Sequence, residues 1–326
     1  MTLRILGAGV MGLVLATELT ARGHAVELVD PAPAPGPHAC SWWAGGMLAP
    51  YCEAETAGQA ALRHGLASAD WWDRHTGMVQ RNGTLVLTLA RDKGELARFA
   101  RRSTGHRTLD AEGIAALEPD LAGRFTAGLF YEAEAHLSPR AALAELRARL
   151  VAKGVAFHTA PPAPTPATVI DARGLAARDR LPDLRGVRGE MLVLRCPDVT
   201  LSRPVRLLHP RIPLYIVPRG DGVFMLGATM IESDRRGPVT VRSVLELLSA
   251  AYALHPAFGE AELLETGADA RPAFPDNLPR LRRQGATLYA NGLYRHGFLL
   301  SPAVAAMAAD HLETGITPES MEEPQT

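Results

Sequence analysis

The first thirty residues follow the order strand, glycine turn, helix, strand. Residues 3–6, Leu-Arg-Ile-Leu, predict a short strand, and three glycines mark the turn after it. Apolar residues then recur with helical spacing over residues 14–21, until Gly23 breaks the helix. Residues 26–29, Val-Glu-Leu-Val, predict a second, buried strand, with Asp30 at its carboxyl end. The pattern predicts one βαβ unit.

The rest of the chain combines helical and strand-like patterns without an internal repeat. Helical spacing predicts helices at residues 63–75, 91–101, 111–118, 139–153, 241–254 and 302–313. Ser301 is expected to cap the last of these, with Pro302 in its first position. Apolar runs predict strands at residues 83–88, 169–174, 191–195, 214–218, 223–228 and 287–290. Glycines 220 and 222 are expected to turn a hairpin between two of these strands.

Composition narrows the class of protein. The chain has 326 residues, 47% hydrophobic and 21% charged, which is typical of a globular enzyme with two domains. No apolar run reaches the roughly 18–20 residues of a spanning helix, so we expect no membrane span. The net charge is −1, from 34 basic and 35 acidic side chains without a basic block. This balance argues against a nucleic-acid partner.

Cysteines and the amino terminus bear on location. Cys40, Cys52 and Cys196 lack the spacing of a disulfide framework or a zinc site, so we expect no metal. Free thiols favour a reducing, cytoplasmic location. The first predicted strand begins within three residues of Met1, and we expect no targeting segment.

The glycine turn predicts a dinucleotide site. Gly7 allows a tight turn, Gly9 lets the backbone approach a pyrophosphate, and Gly12 lets the helix pack closely on the strand. The helix N-terminus then offers free amides and partial positive charge to phosphates. Asp30, 18 residues after Gly12, is placed to accept ribose hydroxyls. A glycine-rich turn of any α/β protein remains the alternative.

A second glycine-containing stretch, residues 41–50, holds two tryptophans and two adjacent glycines. It has two interpretations. It is either a buried loop that crosses the core, or a segment whose backbone approaches a flat ligand, with Met47 packed on a ring.

Three separated segments resemble the FAD-binding pattern of the D-amino-acid oxidase superfamily, within it the glycine-oxidase branch. They are the N-terminal βαβ unit, the Asp-Ala-Arg-Gly strand at residues 171–174, and the C-terminal motif at residues 289–297. The branch is indicated further by Ala-Gly-Gly-Met-Leu at 44–48, Gly-Glu-Met-Leu at 189–192, Tyr-Ile-Val-Pro-Arg at 215–219, Gly-Ala-Thr-Met at 227–230, Ala-Arg-Pro at 270–272 and Arg-His-Gly-Phe-Leu-Leu-Ser-Pro-Ala at 295–303. The resemblance covers essentially the whole chain.

The resemblance implies an α/β and α+β fold: a Rossmann-like FAD-binding domain interleaved with a substrate domain built on an antiparallel sheet. Mapped onto this sequence, residues 1–76, 139–190 and 275–316 would bind FAD. Residues 77–138 and 191–274 would cover the substrate, and residues 317–326 are expected to fray. FAD is expected to bind non-covalently, since no Cys or His occupies an obvious tether position.

The resemblance also assigns roles to residues. Arg271 would bind the substrate carboxylate with two parallel donors, Tyr215 would donate its phenol to the same group, and Arg295 completes the expected catalytic set. The cofactor-binding residues that it implies are Gly7, Gly9, Val10, Met11, Gly12, Asp30, Gly46, Met47, Gly174, Arg295, His296, Gly297, Phe298 and Leu299. The backbone amides at 295–297 would stabilise charge on the reduced flavin. No proton-transfer role is assigned to His296.

The implied reaction is oxidative deamination of glycine, sarcosine or a small D-amino acid. A hydride passes from Cα of the neutral-amine substrate to flavin N5, and dioxygen, the expected electron acceptor, is reduced to hydrogen peroxide. The imine hydrolyses to keto acid and ammonia, or passes to a thiazole-forming enzyme of thiamine biosynthesis. The oligomeric state stays open, a homo-oligomer included.

Three departures from the family pattern leave the substrate open. The proline cluster at residues 161–166 replaces a β-meander of the family. Trp42 and Trp43 stand where small residues are common. Pro213, two residues before Tyr215, stands where the family often has a polar residue. Three other functions also remain: a D-amino-acid or imino-acid dehydrogenase with another acceptor, a flavin-bound subunit without turnover, and a nicotinamide dehydrogenase. A nicotinamide dehydrogenase would explain the N-terminal glycine turn but not the motifs in the middle and at the C-terminus.

Overall fold

The computed structural model describes residues 2–164, 168–209 and 214–322. The helices are α1 Val10–Ala21, α2 Pro50–Gly65, α3 Ser68–Thr76, α4 Lys93–Arg102, α5 Ala111–Leu117, α6 Pro139–Ala152, α7 Val241–Leu254 and α8 Gly297–Thr314. The strands are β1 Thr2–Leu6, β2 Ala25–Val29, β3 Met47–Leu48, β4 Thr84–Thr88, β5 Arg107–Asp110, β6 Ala127–Tyr131, β7 Ala135–His136, β8 Ala156–His158, β9 Val169–Asp171, β10 Arg185–Arg195, β11 Val205–Leu208, β12 Leu214–Gly220, β13 Val223–Gly227, β14 Ile231–Glu232, β15 Glu262–Ala273, β16 Arg280–Gln284, β17 Thr287–Asn291 and β18 Met321–Glu322.

One of the two large sheets has seven strands, in the order β18, β16, β17, β9, β1, β2, β8. The pairs that link β17, β9, β1, β2 and β8 are all parallel. Helices α1, α6 and α8 share an apolar core with these strands, because their buried Leu, Val and Ala side chains pack on the sheet. The carboxyl end of β1, where ligands bind in open parallel sheets, leads directly into the glycine turn.

The other large sheet has nine strands, in the order β14, β10, β13, β12, β11, β4, β6, β5. Strand β15 pairs with β10 along the full length of β10. The pairs are antiparallel except for β4 with β11. Helix α7 packs on this sheet through Leu247, Ala251 and Leu254. The mixed α/β architecture confirms the predicted fold class.

The two sheets are interleaved along the chain, since each takes strands from separated stretches. Which stretches bind FAD and which cover the substrate stays a prediction. Strand β10 runs across the proposed boundary at residue 190 and lies wholly in the nine-stranded sheet. Within the tail that is expected to fray, Met321 and Glu322 pair in parallel with β16, and the fraying of residues 317–326 stays a prediction.

The prediction for the last helix was wrong at its start. Helix α8 begins at Gly297, so Ser301 does not cap it and Pro302 lies inside it. A proline inside a helix leaves the carbonyl four residues earlier without its amide donor, here that of Phe298. The side chains of Ser68 and Trp72 donate to this carbonyl at 3.1 and 2.7 Å. They replace the missing hydrogen bond and let the helix continue through the proline.

Other elements also differ from the predictions. The helix expected at residues 63–75 is divided between α2 and α3, and α2 already begins at Pro50. In the described chain, ten strands were not predicted: β3, β5, β6, β7, β8, β11, β14, β15, β16 and β18. Pro213, and residues 165 and 166 of the second proline cluster, lie outside the described residues. Among the helices of the described part of the chain, none combines the length and hydropathy needed to cross a membrane.

Candidate functional site

A cavity of about 1040 Å³ is lined by residues of both sheets. It brings together nearly all the residues that the sequence singled out: Gly7, Gly9, Val10, Met11, Asp30, Gly46, Met47, Gly174, Tyr215, Arg271, Arg295, His296, Gly297, Phe298 and Leu299. Gly12 is not in the cavity wall. The individual binding and catalytic roles of these residues stay predictions, but their convergence on one cavity is a fact of the fold.

The glycine turn has the local geometry that the sequence pattern requires. Gly7 has a φ of +95°, which favours glycine. A Cβ atom added to Gly12 would lie 1.8 Å from the Gly7 carbonyl oxygen, so only glycine lets the helix pack this closely. At Gly9 the nearest atom to such a Cβ is Ser41 Oγ, at 3.6 Å. Backbone at Gly9 is therefore open toward the cavity.

Asp30 is held in place by backbone amides. Its Oδ2 accepts from Ala8 N at 2.7 Å, and its Oδ1 accepts from Ala32 N at 2.9 Å. His38 Nε2 lies 3.9 Å from the same Oδ1. The carboxylate is thus fixed at the cavity end of β2, where it can accept ribose hydroxyls.

Two helix N-termini meet at the cavity. Helix α1 begins at Val10, four residues before the predicted start, and helix α8 begins at Gly297. A Cβ on Gly297 would lie 3.2 Å from Val10 Cγ1. Free amides and the positive ends of two helix dipoles therefore face one region, which suits anionic groups.

The stretch around Gly45 and Gly46 crosses the cavity. Gly46 has a φ of +75°, and a Cβ there would lie 2.3 Å from Leu137 O. Arg219 of β12 donates from Nη2 to Gly45 O at 2.7 Å and from Nη1 to Leu137 O at 3.1 Å. Trp43 lines the cavity, with its ring over Gly267. The arginine thus ties this loop to the strand that carries Tyr215.

The Tyr215 ring lies between two glycines. An added Cβ at Gly45 would lie 2.8 Å from the ring carbon Cε2, and one at Gly227 would lie 2.6 Å from the phenol oxygen. Burial raises the pKa of Tyr215 above its usual value, although the charge of Arg271 opposes the rise. The phenol therefore stays protonated at neutral pH, and its hydroxyl is available as a donor within the cavity.

Arg271 reaches the cavity across a glycine of the neighbouring strand. A Cβ on Gly189 of β10 would lie 2.0 Å from Arg271 Nη2, so the side chain occupies the space that glycine leaves. Its Nη1 donates to Thr229 O at 3.1 Å. The guanidinium is half-buried and keeps further donors for a ligand.

Seven arginines line the cavity: Arg98, Arg102, Arg173, Arg206, Arg236, Arg271 and Arg295. Six of them have a carboxylate partner within 4 Å. Arg271 is the exception within residues 2–164, 168–209 and 214–322. It is the cavity arginine that is free to bind a carboxylate from outside the protein.

Glu53 of α2, which the sequence analysis missed, organises the opposite wall. Its carboxylate accepts from Arg206, lies 2.7 Å from Arg295 Nη2 and 3.2 Å from His296 Nδ1, and is 7% exposed. Burial alone raises the pKa of Glu53, but the two arginines outweigh it and hold this pKa well below its usual range. The Arg295 side chain is thereby committed to an ion pair.

His296 is buried at the start of α8. Burial lowers its pKa, and Glu53 opposes the shift without cancelling it. The imidazole is therefore neutral at pH 7.

Sequence reasoning also missed Arg206, Arg236 and Asp269. Arg236 donates to both oxygens of Asp269, at 2.6 and 2.9 Å, and to the His38 backbone. These pairs join residues more than thirty positions apart, so no local pattern indicates them. In the part of the chain that the structure describes, no cluster of His, Cys, Asp and Glu could hold a metal ion.

The chain is similar to known proteins along nearly its whole length. The family model described as "FAD dependent oxidoreductase" (DAO) matches residues 3–311. The "Putative thiamine biosynthesis oxidoreductase ThiO" of Rhizobium etli is 54% identical over 96% of this chain and 97% of the relative. The glycine oxidase of Pseudomonas aeruginosa is 27% identical over 94% of this chain and 93% of its own.

Two further comparisons extend the picture. The "Bifunctional protein ThiO/ThiG" of Trichormus variabilis is 28% identical over 94% of this chain, which spans 52% of that protein. The crystal structure of glycine oxidase from Bacillus cereus has a TM-score of 0.82 at 22% identity, over 97% of this chain and 98% of the other.

Proposed function

The chain belongs to the DAO family of FAD-dependent oxidoreductases, and we propose that it oxidises glycine, with sarcosine and small D-amino acids as further substrates. The proposed products are the imine, its keto acid and ammonia, and hydrogen peroxide. The observation that carries the proposal is Arg271, which has no carboxylate partner among the described residues and lies in the same cavity as the Tyr215 phenol and the glycine turn.

The residues present fit FAD. The cradle at Gly9 leaves room for a pyrophosphate, and the N-termini of α1 and α8 provide amides and positive potential. Asp30 would hold the ribose, and the backbone of residues 44–47 would border the flavin ring. When bound, FAD supplies the acceptor for the hydride from the amino-acid α-carbon and passes the electrons to dioxygen.

Arg271 and Tyr215 orient the amino acid. A guanidinium matches a carboxylate with two parallel donors, and the protonated phenol adds a third. Fixing the carboxylate directs Cα toward one side of the cavity, which is the positioning that the reaction needs. The substrate is expected to bind with a neutral amine, so no protein base is required. The second candidate for this site is a dehydrogenase that uses another electron acceptor.

A hand-off of the imine to a thiazole-forming enzyme is part of the proposal. It is supported by the bifunctional ThiO/ThiG relative, in which a sequence similar to this chain makes up about half of the protein. We place the reaction in the cytoplasm, where the three free cysteines would remain reduced.

The test is anaerobic reduction of the bound flavin by a panel of amino acids. Purified holoenzyme is mixed with glycine, sarcosine, D-alanine and D-proline, and the visible flavin band is followed. Glycine should bleach the band, and in air one peroxide should form per glycine consumed. Full turnover without peroxide would favour the dehydrogenase, and no bleaching by any of the four would favour a subunit without turnover.

A further inference from the structure

Met230 stands apart from the other methionines of the described chain. Its side chain is 47% exposed, and it lines the cavity. Met11, Met191 and Met225 are buried, and the remaining described methionines are half-buried. A thioether that is exposed and adjacent to a source of peroxide is the one that oxidation selects.

Two hydrogen-bond donors converge on the Met230 sulfur. The Tyr294 hydroxyl and Arg295 Nη1 each lie 3.4 Å from Sδ. A thioether is a weak acceptor, whereas a sulfoxide oxygen is polar and accepts strongly. The surroundings of Met230 are therefore better matched to the oxidised side chain than to the reduced one.

Met230 is also connected to both arginines of the site. The carbonyl of Thr229, its neighbour in the chain, accepts from Arg271 Nη1 at 3.1 Å, while the Met230 sulfur contacts Arg295. A change in volume and polarity at Met230 is thus transmitted to the carboxylate-binding side and to the Glu53 side of the cavity.

We propose that Met230 is a reversible oxidation site at which hydrogen peroxide, the product of the proposed reaction, limits turnover. The inference rests on the proposed function for its oxidant. The sulfur lone pair attacks one peroxide oxygen, an S–O bond forms as the O–O bond breaks, and the second oxygen leaves as water. Methionine loses two electrons and peroxide gains them. A methionine sulfoxide reductase would restore the thioether.

The first experiment adds hydrogen peroxide to the holoenzyme in the absence of any amino acid and follows the oxidation of each methionine by peptide mass spectrometry. Met230 should be oxidised about tenfold faster than Met307, which is half-buried and outside the cavity wall. Equal rates at the two residues would overturn the proposal. This arm requires no turnover, so its outcome does not depend on the proposed function.

The second experiment uses holoenzyme turning over glycine in air, with and without catalase. Met230 oxidation should accumulate with turnover, fall when catalase is present, and parallel a loss of activity that the reductase reverses. During turnover, Met230→Leu should retain its own initial activity for longer than the wild type does. Met307→Leu should lose activity as fast as the wild type. A third outcome is that added peroxide oxidises Met230 but turnover produces no peroxide. This result would refute both the oxidase function and the limit on turnover. Met230 would remain an oxidation site.

Discussion

Replacing Gly189 with alanine should weaken carboxylate binding without removing the arginine that is proposed to perform it. The added methyl group would lie 2.0 Å from Arg271 Nη2, whereas ordinary contact begins at 3.4 Å, so the guanidinium must retreat by about 1.4 Å. A side-chain end moves easily, and alanine is no worse than glycine in a strand. Stability should therefore change little while the site is displaced.

The expected loss follows from that displacement. A misplacement of about 1 Å can cost about 100-fold in rate, and the loss of one charge-assisted hydrogen bond costs about 1.5–3 kcal/mol. We expect kcat/KM for glycine to fall about 100-fold, which is about 2.7 kcal/mol of transition-state stabilisation. Most of the loss should appear in KM, because ground-state binding of the carboxylate is lost as well.

The assay is steady-state oxygen consumption over a range of glycine concentrations, together with titration of the holoenzyme with acetate, followed by the flavin absorbance. Gly94→Ala is the matched control, because Gly94 is exposed in α4 with nothing within 4 Å of an added Cβ. A folded Gly189→Ala holoenzyme with wild-type KM and acetate affinity would refute the assignment of Arg271 as the carboxylate anchor.

Three further changes test other parts of the structure. Gly12→Ala places a methyl 1.8 Å from the Gly7 carbonyl oxygen, where backbone cannot retreat, so the purified protein should lose its FAD, seen as the ratio of flavin to protein absorbance. Glu53→Gln leaves two arginines without their carboxylate and should lower the free energy of unfolding by about 3–5 kcal/mol in urea titration. Glu55→Gln, whose arginine partner is exposed, should cost about 0–1 kcal/mol, and equal losses would contradict the importance of burial. Burial lowers the pKa of His136 to about 4, whereas the unfolded chain titrates at about 6.5. Between these two values the unfolded chain is protonated and the folded protein is not. The free energy of unfolding should therefore fall by up to about 3 kcal/mol as the pH drops from about 6.5 to about 4. His136→Leu should flatten that pH dependence of the urea midpoint, and an unchanged slope would assign it to other groups.

Sequence patterns predicted the helices and strands that are determined by residues close together in the chain. Helix α7 has the predicted bounds Val241–Leu254, because its apolar face repeats with helical spacing and Pro256 follows it. Helix α8 was misplaced because the hydrogen-bond partners that replace the Pro302 amide come from α3, more than two hundred residues earlier. Strand β15 was missed because it carries charged residues, which ion pairs across the fold satisfy.

The residues of the candidate site also fall into those that local motifs indicate and those that only long-range contacts reveal. Glycine motifs and arginine motifs could be read from sequence, because a turn, a close approach and a bidentate donor each require particular residue types. Glu53 could not, since it lies in a stretch without a predicted element and its partner Arg206 is 153 positions away. Arg271 differs from the other cavity arginines because it has no carboxylate neighbour in the described part of the chain, and only three-dimensional packing decides this.

The interleaving of the two sheets has a consequence for biosynthesis. The cavity wall begins at Leu6 and is not complete until Leu299, and the parallel sheet receives β17 beside β9 only after residue 287. Neither half can therefore finish folding while the chain is still short, although domains of a growing chain commonly fold one after another. The cofactor site closes only when nearly the whole protein has left the ribosome, so an incomplete chain cannot retain FAD within a finished wall.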